Sequence, residues 1–441
     1  MDIKQEVIDE VEKIDKEFNY LNVICNLENR KKGRLSGVSI SVKDAICVKG
    51  VESTAGSAIL NGYKPVFNAT VIERCLDEGA TIVGKTAQDE FGFGSFCTNV
   101  GKGFKVPKNP FDKERCCGGS SGGCAGLTQK MTSHHISLAE STGGSIVTPA
   151  SFCGVYGLCP TYGRVSRYGL MDYANSLDKI GPMAKDIKDV ALLLEIISGF
   201  DRNESTCTDV PVDKYTDFVG KDIKRMKIGI IKEGFGEGVS YEVAENVRSA
   251  IKRLEDAGAT VEEVTLPLTM KYGLSAYYLI STSEASTNLA RYCGMRYGAS
   301  EKLEGNFNEY FSKVRSKYLG DEVKRRILIG TFARMAGYRD AYYIKALKVR
   351  TKIIEEYKNL FRKFDALISP TVPVLPPKFS EINRMTPLQE WLMDILTVGP
   401  NLAGLPHLNI PSGTADGLPV GTLLIADHFQ EGKLIQIGSQ I

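Results

Sequence analysis

The sequence predicts an α/β fold in which helices cover both faces of a large mixed central β-sheet. Residues 70–78 have helical periodicity and precede an extended stretch at 81–83. Further along, an apolar strand at 227–231 precedes a helical stripe at 243–254 and a second extended stretch at 259–261. Such strand–helix–strand units favour a parallel or mixed sheet covered by helices. With 441 residues, 43% of them hydrophobic, the chain is also long enough to bury a large core.

Most of the chain is predicted to form one domain, residues 35–441, which follows an N-terminal helical segment, residues 1–34. An amphipathic helix is predicted over residues 3–21, because apolar residues recur three or four positions apart. These residues are Ile3, Val7, Val11, Ile14, Phe18 and Leu21. Residues 35–42 alternate as in a strand, which places Lys43 at the end of that strand.

Two later stretches are predicted to lack regular structure. Residues 201–222 are polar and rich in Asp, Thr and Lys, so we expect a surface excursion of the large domain. Residues 369–377 contain several prolines and are expected to be extended, because proline has no N–H and breaks helices.

Composition restricts the environment and the partners. The 11 cysteines include no CxxC pair and no Cys/His group with zinc spacing, so we expect reduced, mostly buried thiols and no metal site. The N-terminus resembles neither a signal nor a transit peptide, and no apolar run reaches the roughly 18 residues of a membrane span. We therefore expect a cytoplasmic protein. The net charge is only +2, so the chain lacks the strong positive charge that is typical of a protein that binds nucleic acid on its own.

Three short segments are candidates for chemistry. They are the strand end at Lys43, a Gly/Ser-rich run at 118–123 that contains Ser120, and a turn at 141–145 that ends in Ser145. Taken singly, each has an ordinary explanation as a solvated lysine, a flexible loop or a tight turn. Taken together, they supply a base, a second hydroxyl and a nucleophile.

Amide cleavage needs such a set, because an amide is a poor electrophile that requires an activated nucleophile and donors for the oxyanion. Ser145 follows two glycines, whose missing Cβ atoms leave the backbone N–H groups accessible. A Ser–His–Asp triad is unsupported, because no motif surrounds any of the four histidines, His134, His135, His407 and His428. A lysine desolvated beside a strand can instead be neutral and act as base.

The three segments resemble the hallmark of the amidase signature family, in which a lysine precedes a Gly/Ser-rich segment and a second serine. The similarity is closer to one branch, the A subunits of the tRNA-dependent amidotransferases that make Gln-tRNA or Asn-tRNA. The phrases that carry the similarity to this branch lie at residues 160–170, 283–292, 324–326, 348–351 and 401–406.

The resemblance implies that the protein hydrolyses free L-glutamine through an acyl-enzyme. Ser145 would attack the side-chain amide, and Ser120, which lies beside a cis peptide in the family, would pass the proton to neutral Lys43. An oxyanion hole would be formed by the backbone N–H groups of Thr142, Gly143 and Gly144. Ammonia would leave, and water would hydrolyse the glutamyl ester.

The resemblance also implies how glutamine is held. Arg326 aligns with an arginine that binds the α-carboxylate, Asp394 with an aspartate that binds the α-amine, and Tyr277 with a tyrosine that contacts substrate. A guanidinium fork suits a carboxylate, and a carboxylate suits an ammonium group. Without the resemblance, Arg326 would be interpreted as a charge on a helix surface.

In that branch the protein works in a heterotrimer with the B and C subunits of the amidotransferase. Ammonia passes to the kinase-like B subunit, which holds the tRNA. ATP and Mg²⁺ are therefore expected in that partner, and this chain is expected to carry no cofactor. The acceptor, Glu-tRNA(Gln) or Asp-tRNA(Asn), is not decided by this sequence.

The sequence departs from the family beside the nucleophile. Ser141 and Val147 stand where the family usually has an Asp and an Arg. Losing both charges avoids a lone buried charge, which would be costly. Because of this change, the function of a catalytically weakened scaffold subunit remains an alternative. A stand-alone amidase that acts on another small amide is a second alternative. The region before Lys43 is shorter than is usual in this branch, and the sequence stops at Ile441, where relatives carry a further helix. The contacts with partner subunits at both ends are therefore left open.

Overall fold

The computed structural model describes residues 5–28 and 31–441, and within them eleven strands form one mixed sheet. The strands are β1 (Leu21–Glu28), β2 (Ser39–Lys43), β3 (Thr81–Thr86), β4 (His135–Ser141), β5 (Tyr156–Cys159), β6 (Lys179–Ala184), β7 (Lys227–Ile231), β8 (Thr260–Val264), β9 (Ala366–Pro370), β10 (His407–Ala415) and β11 (Leu418–Ile425). Their order across the sheet is β1-β3-β2-β4-β6-β5-β10-β11-β9-β7-β8. β2 is parallel to β3 and β4, and β7 is parallel to β8 and β9, whereas the other pairs are antiparallel.

Helices cover both faces of this sheet, as predicted. Every residue of β2, β3, β4, β6 and β9 is buried, and successive side chains of a strand point to opposite faces. The helices are α1 (Gln5–Phe18), α2 (Thr70–Asp77), α3 (Gly122–Lys130), α4 (Val147–Cys153), α5 (Ile187–Ile197), α6 (Tyr241–Asp256), α7 (Pro267–Asn288), α8 (Phe307–Tyr318), α9 (Asp321–Arg334), α10 (Lys345–Phe361), α11 (Phe379–Ile382), α12 (Pro387–Leu392), α13 (Val398–Leu402) and α14 (Glu431–Gly438).

Both predicted strand–helix–strand units are present, and their helices end in the same way. α2 is followed by Gly79 at a φ of 84°, and α6 by Gly258 at 97°. The next residue then returns its N–H to the last helical turn, as from Ala80 to the carbonyl of Cys75 at 3.1 Å. Glycine is favoured at this position because it adopts a left-handed conformation without a Cβ penalty.

The N-terminal helix is shorter than predicted. α1 ends at Phe18, Asn19 has a φ of 62°, and Leu21 already begins β1. The carboxylate of Asp15 accepts the N–H of Leu21 at 2.6 Å, which stabilises the turn between helix and strand. Placing Leu21 in the helix was therefore wrong, because its helical spacing continues by coincidence into a strand. Ile3 lies outside the described residues.

The segment 1–34 is thus not only helical, since β1 pairs antiparallel with β3 at one edge of the sheet. The domain boundary after residue 34 stays a prediction. Residues 201–222 are mostly exposed or half-buried and contain only a short 3₁₀ turn at Tyr215–Phe218. After β9, the stretch up to residue 377 is extended or bent and contains no helix.

The cysteines are mostly buried, as the composition predicts. All 11 cysteines are free thiols, and only Cys25 and Cys293 are not fully buried. In residues 5–28 and 31–441, no helix combines the length and the apolar character needed to cross a membrane.

Candidate active site

The sheet brings the three candidate segments together at the carboxyl ends of the interior strands β2 and β4. β2 and β4 are neighbouring parallel strands, so Lys43, at the end of β2, lies beside the loop that follows Ser141 at the end of β4. Ser120 lies just before α3, and Ser145 just before α4. Three segments that are far apart in the sequence therefore meet through the topology of the sheet.

Lys43 is completely buried and contacts Ser120 directly. Its Nζ lies 2.7 Å from Oγ of Ser120 and 2.9 Å from the backbone carbonyl of Glu140. The Gly119–Ser120 peptide bond is cis, which is the geometry that the family resemblance implies.

Ser145 lies in a closely packed turn and is 6% exposed. Its carbonyl accepts the N–H of Ser121 at 3.3 Å, and the carbonyl of Gly144 accepts the N–H of Thr148 at 2.8 Å. In residues 5–28 and 31–441, the N–H groups of Thr142, Gly143 and Gly144 have no hydrogen-bond acceptor. Because buried N–H groups are normally paired, three successive free donors suit a developing oxyanion.

Neutral hydrogen bonds hold this turn, although the resemblance leads us to expect an Asp and an Arg at positions 141 and 147. The hydroxyl of Ser141 donates to the carbonyl of Gly143 at 2.9 Å, and the side-chain amide of Asn401 donates to the same carbonyl. Val147 is fully buried in the first turn of α4. Ser141 and Val147 are therefore compatible with an ordered turn at Ser145.

A buried acidic pair lies behind the turn, and the sequence analysis missed it. Glu140 Oε2 lies 2.8 Å from Nζ of Lys43. The hydroxyl of Thr142 lies 3.0 Å from Glu140 Oε1 and 2.7 Å from Asp178 Oδ1. Burial raises the pKa of Asp178 well above its usual value, and the nearby Glu140 raises it further. The signal that could have pointed to Glu140 is a charged residue inside an otherwise apolar and polar, uncharged strand.

Arg326 is not a surface charge, because it is 3% exposed and packed among aromatic rings. Its Nε binds Glu322 at 2.8 Å and its Nη1 binds the hydroxyl of Tyr173 at 2.8 Å. The guanidinium also lies 5.3 Å from the ring centre of Tyr278 and 5.9 Å from that of Trp391. Among the described residues, its Nη2 atom has no hydrogen-bond partner.

Asp394 lies in the same cluster as Arg326. Its Oδ2 accepts hydrogen bonds from the hydroxyl of Tyr278 at 2.8 Å and of Ser95 at 3.0 Å. Burial raises the pKa of Asp394, while these bonds and the charge of Arg326 act in the opposite direction. Tyr278 stacks on Trp391 with ring centres 4.1 Å apart, and the guanidinium of Arg326 lies over both rings.

Tyr277 lies against the turn of Ser145, and Gly92 lies between Ser120 and Tyr173. A Cβ placed on Gly143 would lie 2.7 Å from the hydroxyl of Tyr277, so this close contact requires glycine. A Cβ placed on Gly92 would lie 3.5 Å from Oγ of Ser120 and 3.7 Å from the ring of Tyr173. The missing side chain at Gly92 thus leaves space between the Lys43–Ser120 pair and Tyr173, which binds Arg326.

Among the described residues, none of the four histidines forms a hydrogen bond with Lys43, Ser120 or Ser145. His135 contacts Ser39 and Ser41, and His407 contacts Asn401 and Leu405. His134 and His428 bind the aspartates Asp189 and Asp427. In residues 5–28 and 31–441, no group of three or more His, Cys, Asp or Glu side chains is arranged to hold a metal ion.

Comparison with known proteins places this geometry in context. The model of the Amidase family matches residues 4–435. The A subunit of the glutamyl-tRNA(Gln) amidotransferase of Koribacter versatilis is 47% identical over 409 residues, which cover 92% of this chain and 84% of the relative. The corresponding protein of Halothermothrix orenii is 46% identical over 435 residues, 97% of this chain and 90% of the relative.

A solved structure has the same fold along nearly the whole chain. The crystal structure of the A subunit of the glutamyl-tRNA(Gln) amidotransferase from Thermotoga maritima superposes with a TM-score of 0.85 at 38% identity, over 99% of this chain and 90% of that chain. The 6-aminohexanoate cyclic dimer hydrolase superposes with a TM-score of 0.84 at 20% identity, which shows the shared fold alone.

Proposed function

The chain belongs to the amidase family, in the group of amidotransferase A subunits, and on that premise we propose that it supplies ammonia by hydrolysing free L-glutamine. The observation that carries this proposal is the buried contact of 2.7 Å between Lys43 Nζ and Ser120 Oγ, beside the turn that presents Ser145. A lysine base and a relay serine next to a serine with free N–H donors form the minimum machinery for cleaving an amide.

The reaction proceeds through an ester on Ser145. Its Oγ attacks the carboxamide carbon of glutamine while its proton passes through Ser120 to neutral Lys43. The oxyanion is stabilised by the N–H groups of Thr142, Gly143 and Gly144. The Lys43 ammonium returns the proton through Ser120 to the leaving ammonia. Water then attacks the glutamyl ester by the same route and releases glutamate.

The substrate is an amino acid because Arg326 and Asp394 supply two buried groups of opposite charge in one cluster. Arg326 presents its free Nη2 to the α-carboxylate, and Asp394 accepts the α-ammonium group. Tyr277 packs against Gly143 and so connects the cluster of Arg326 and Asp394 to the turn of Ser145. An amide without these two charged groups gains neither contact.

The ammonia serves the amidation of a misacylated tRNA, Glu-tRNA(Gln) or Asp-tRNA(Asn). The chain works in the cytoplasm as part of a heterotrimer with the B and C subunits of the amidotransferase. The B subunit holds the tRNA and uses ATP and Mg²⁺, while this chain carries no cofactor. The near-neutral charge of the chain, +2, supports this division of tasks.

The assembled complex, supplied with ATP, Mg²⁺ and misacylated tRNA, tests the proposal. Ser145→Ala is expected to abolish amidation with glutamine and to leave amidation with ammonium chloride unchanged, so the second rate is the control for folding and assembly. Glutamine-dependent amidation that survives in Ser145→Ala would disprove the mechanism.

A further inference from the structure

The carbonyl of Gly143 binds two side chains in the turn before Ser145. The hydroxyl of Ser141 donates to this oxygen at 2.9 Å, and the side-chain amide of Asn401, on α13, donates to the same oxygen. Ser141 is 0% exposed and Asn401 is 1% exposed, so bulk water does not compete for either contact. Two buried donors therefore hold one carbonyl of this turn.

The surroundings of Asn401 determine which end of its side-chain amide faces Gly143. Nδ2 of Asn401 also lies 3.2 Å from the carbonyl of Thr397. Carbonyl oxygens only accept hydrogen bonds, so the NH₂ group, which only donates, lies on the side of these two carbonyls. On the other side, Oδ1 of Asn401 lies 3.8 Å from the thiol of Cys159, which can donate. The amide is therefore fixed as a donor to Gly143.

The carbonyl of Gly143 belongs to the same peptide unit as the N–H of Gly144. Among the described residues the only cis peptide bond is Gly119–Ser120, so the bond between Gly143 and Gly144 is trans. In a planar trans unit the C=O and the N–H point in opposite directions. Holding the carbonyl on the side of Asn401 therefore directs the N–H of Gly144 to the opposite side, where it has no acceptor among the described residues.

Two successive glycines make this peptide unit unusually free to rotate, because glycine has no Cβ and adopts more backbone conformations than any other residue. The surrounding side chains require glycine here, since a Cβ on Gly144 would lie 2.7 Å from Oγ1 of Thr397. The close packing that requires glycine thus also removes a local restraint on the backbone. The hydrogen bond from Asn401, 258 positions away from Gly143 in the chain, supplies that restraint.

We infer that Asn401 is a positioning residue of the oxyanion hole, which binds the carbonyl of Gly143 and thereby directs the N–H of Gly144 towards the oxyanion. The inference rests on the proposed function, because it assigns the attack to Ser145 and the oxyanion to this turn. Asn401 acts through the backbone, since among the described residues it forms no hydrogen bond with Ser145. Its contribution is made to the transition state, in which the oxyanion develops, and not to bound glutamine.

Asn409 is a matched control for Asn401, because both are buried asparagines whose amides donate to a backbone carbonyl. Asn409 is 0% exposed and donates to the carbonyl of Val155 at 2.9 Å, and its Oδ1 accepts the hydroxyl of Thr371 at 2.6 Å. Among the described residues, it forms no side-chain hydrogen bond with the turn at 141–145. Asn409→Ala therefore measures the loss of a buried amide that does not hold the oxyanion hole.

Ammonia release from glutamine by the full chain compares the two asparagines. Asn401→Ala should lower kcat by about tenfold or more and leave KM unchanged, because removing one oxyanion donor costs about 10²–10³ in kcat and Ser141 still binds the carbonyl. Asn409→Ala should lower the melting temperature but not kcat. Asn401→Leu keeps the side-chain volume without the donor and should behave as Asn401→Ala does, so the test does not depend on the folding of one variant. An unchanged kcat in the Asn401 variants, a loss that appears in KM alone, or an equal loss of kcat in Asn409→Ala overturns the inference.

A double variant tests whether Ser141 and Asn401 act on the same oxygen. Ser141→Ala should reduce kcat only slightly, because Asn401 still binds the carbonyl of Gly143. Ser141→Ala/Asn401→Ala should reduce kcat by more than the product of the two single reductions, since each donor compensates for the loss of the other. Reductions that simply multiply would show that the two side chains act independently, and would contradict the inference.

A measurement without glutamine separates the inference from the proposed function. A fluorophosphonate labels an activated serine, and the phosphoryl oxygen of the adduct takes the place of the oxyanion. Labelling of Ser145 should be slower in Asn401→Ala than in Asn409→Ala by the same factor as kcat, and equal rates overturn the inference. If the wild type is labelled but does not hydrolyse glutamine, the assignment of the substrate fails, while this comparison still decides the role of Asn401. A wild type that is not labelled at Ser145 contradicts both.

Discussion

The Nζ of Lys43 and the Oγ of Ser120 lie 2.7 Å apart in a fully buried site, although 77 positions separate the two residues in the chain. This contact exists because β2 ends beside the loop that leads into α3 and because β2 and β4 run in the same direction. It places the amine of Lys43 and the hydroxyl of Ser120 in direct contact beside the turn of Ser145, and the following predictions depend on this contact.

Lys43→Met should remove the base and weaken the fold at the same time. General base catalysis contributes about 10²–10⁴ to a rate, so hydrolysis of glutamine should fall by that factor. Glu140 would lose its counter-ion, which should reduce the free energy of unfolding by about 3–5 kcal/mol. Ammonia release and urea denaturation measure the two effects.

The double variant Lys43→Met/Glu140→Gln separates these effects. It should recover most of the lost stability but none of the activity, because the unpaired carboxylate is gone and the base is still absent. A single Lys43→Met variant that retains activity within tenfold of the wild type would show that another group is the base.

Two neighbouring serines offer a matched test of the proton relay. Ser120 contacts Nζ of Lys43, whereas Ser121 donates its hydroxyl to the carbonyl of Glu140 at 3.0 Å. Ser120→Ala should reduce kcat by about 10²–10⁴ because the proton path is broken. Ser121→Ala loses one neutral hydrogen bond, worth about 1 kcal/mol of stability, and should retain most of the activity. Equal losses in both variants would contradict a relay specific to Ser120.

Arg326 and Arg325 form a second matched pair, because both bind Glu322 but only Arg326 is buried. Their side chains are 3% and 44% exposed. Arg326→Ala should reduce kcat/KM for glutamine by at least tenfold, mainly through KM, because the carboxylate loses a charged hydrogen bond worth about 1.5–3 kcal/mol. Arg325→Ala should have little effect. Steady-state kinetics of both variants, with melting temperatures as a folding control, check this.

A simple amide without charged groups extends the test of Arg326. Propionamide gains no contact with Arg326, so its hydrolysis should be equally slow in the wild type and in Arg326→Ala. If Arg326→Ala left the turnover of the preferred substrate untouched, a free amino acid would not be that substrate. The alternative of a stand-alone amidase for another small amide would then be favoured.

Buried His135 should make stability depend on pH. Its ring lies between the hydroxyls of Ser39 and Ser41, at 2.8 and 3.0 Å, and burial lowers the pKa of His135 to about 3. The unfolded chain binds the proton near pH 6.5. The contribution of neutral His135 to the free energy of unfolding is therefore complete above about pH 6.5. It is lost as the pH falls, by about 2 kcal/mol between pH 7 and pH 5.

His135→Asn removes this titration. The wild type should lose about 2 kcal/mol more than the variant when urea denaturation is repeated at pH 7 and pH 5. Parallel losses in the two proteins would show that His135 is not buried as a neutral ring.

The sequence predicted those parts of the fold that local patterns encode. Clear periodicity marks the helices α2 and α6 and the strands that follow them. A glycine ends each of the two helices. Strand β1 was missed because Leu21 continues the helical spacing of α1, and the break depends on the conformation of Asn19 and on a contact with Asp15. Such a break is invisible to a count of apolar positions.

The site was predictable where short segments carry it and not where distant residues complete it. Lys43, Ser120 and Ser145 were candidates because their three short segments together match one pattern, although each segment alone has an ordinary explanation. The partner of Arg326, Tyr173, is 153 positions away in the chain. Glu140 was overlooked because its importance arises from the neighbouring strand β2, and only the sheet brings it to Lys43.

The most direct test of the account is to find the covalent intermediate. The protein is mixed with ¹³C-labelled L-glutamine, quenched in acid within one turnover, digested and examined by mass spectrometry. The account predicts a labelled glutamyl ester on the peptide that contains Ser145, and none in Ser145→Ala. A glutamyl group on another residue, or ammonia release without any ester on Ser145, would contradict it; absence of both ester and ammonia release would favour a catalytically weakened scaffold.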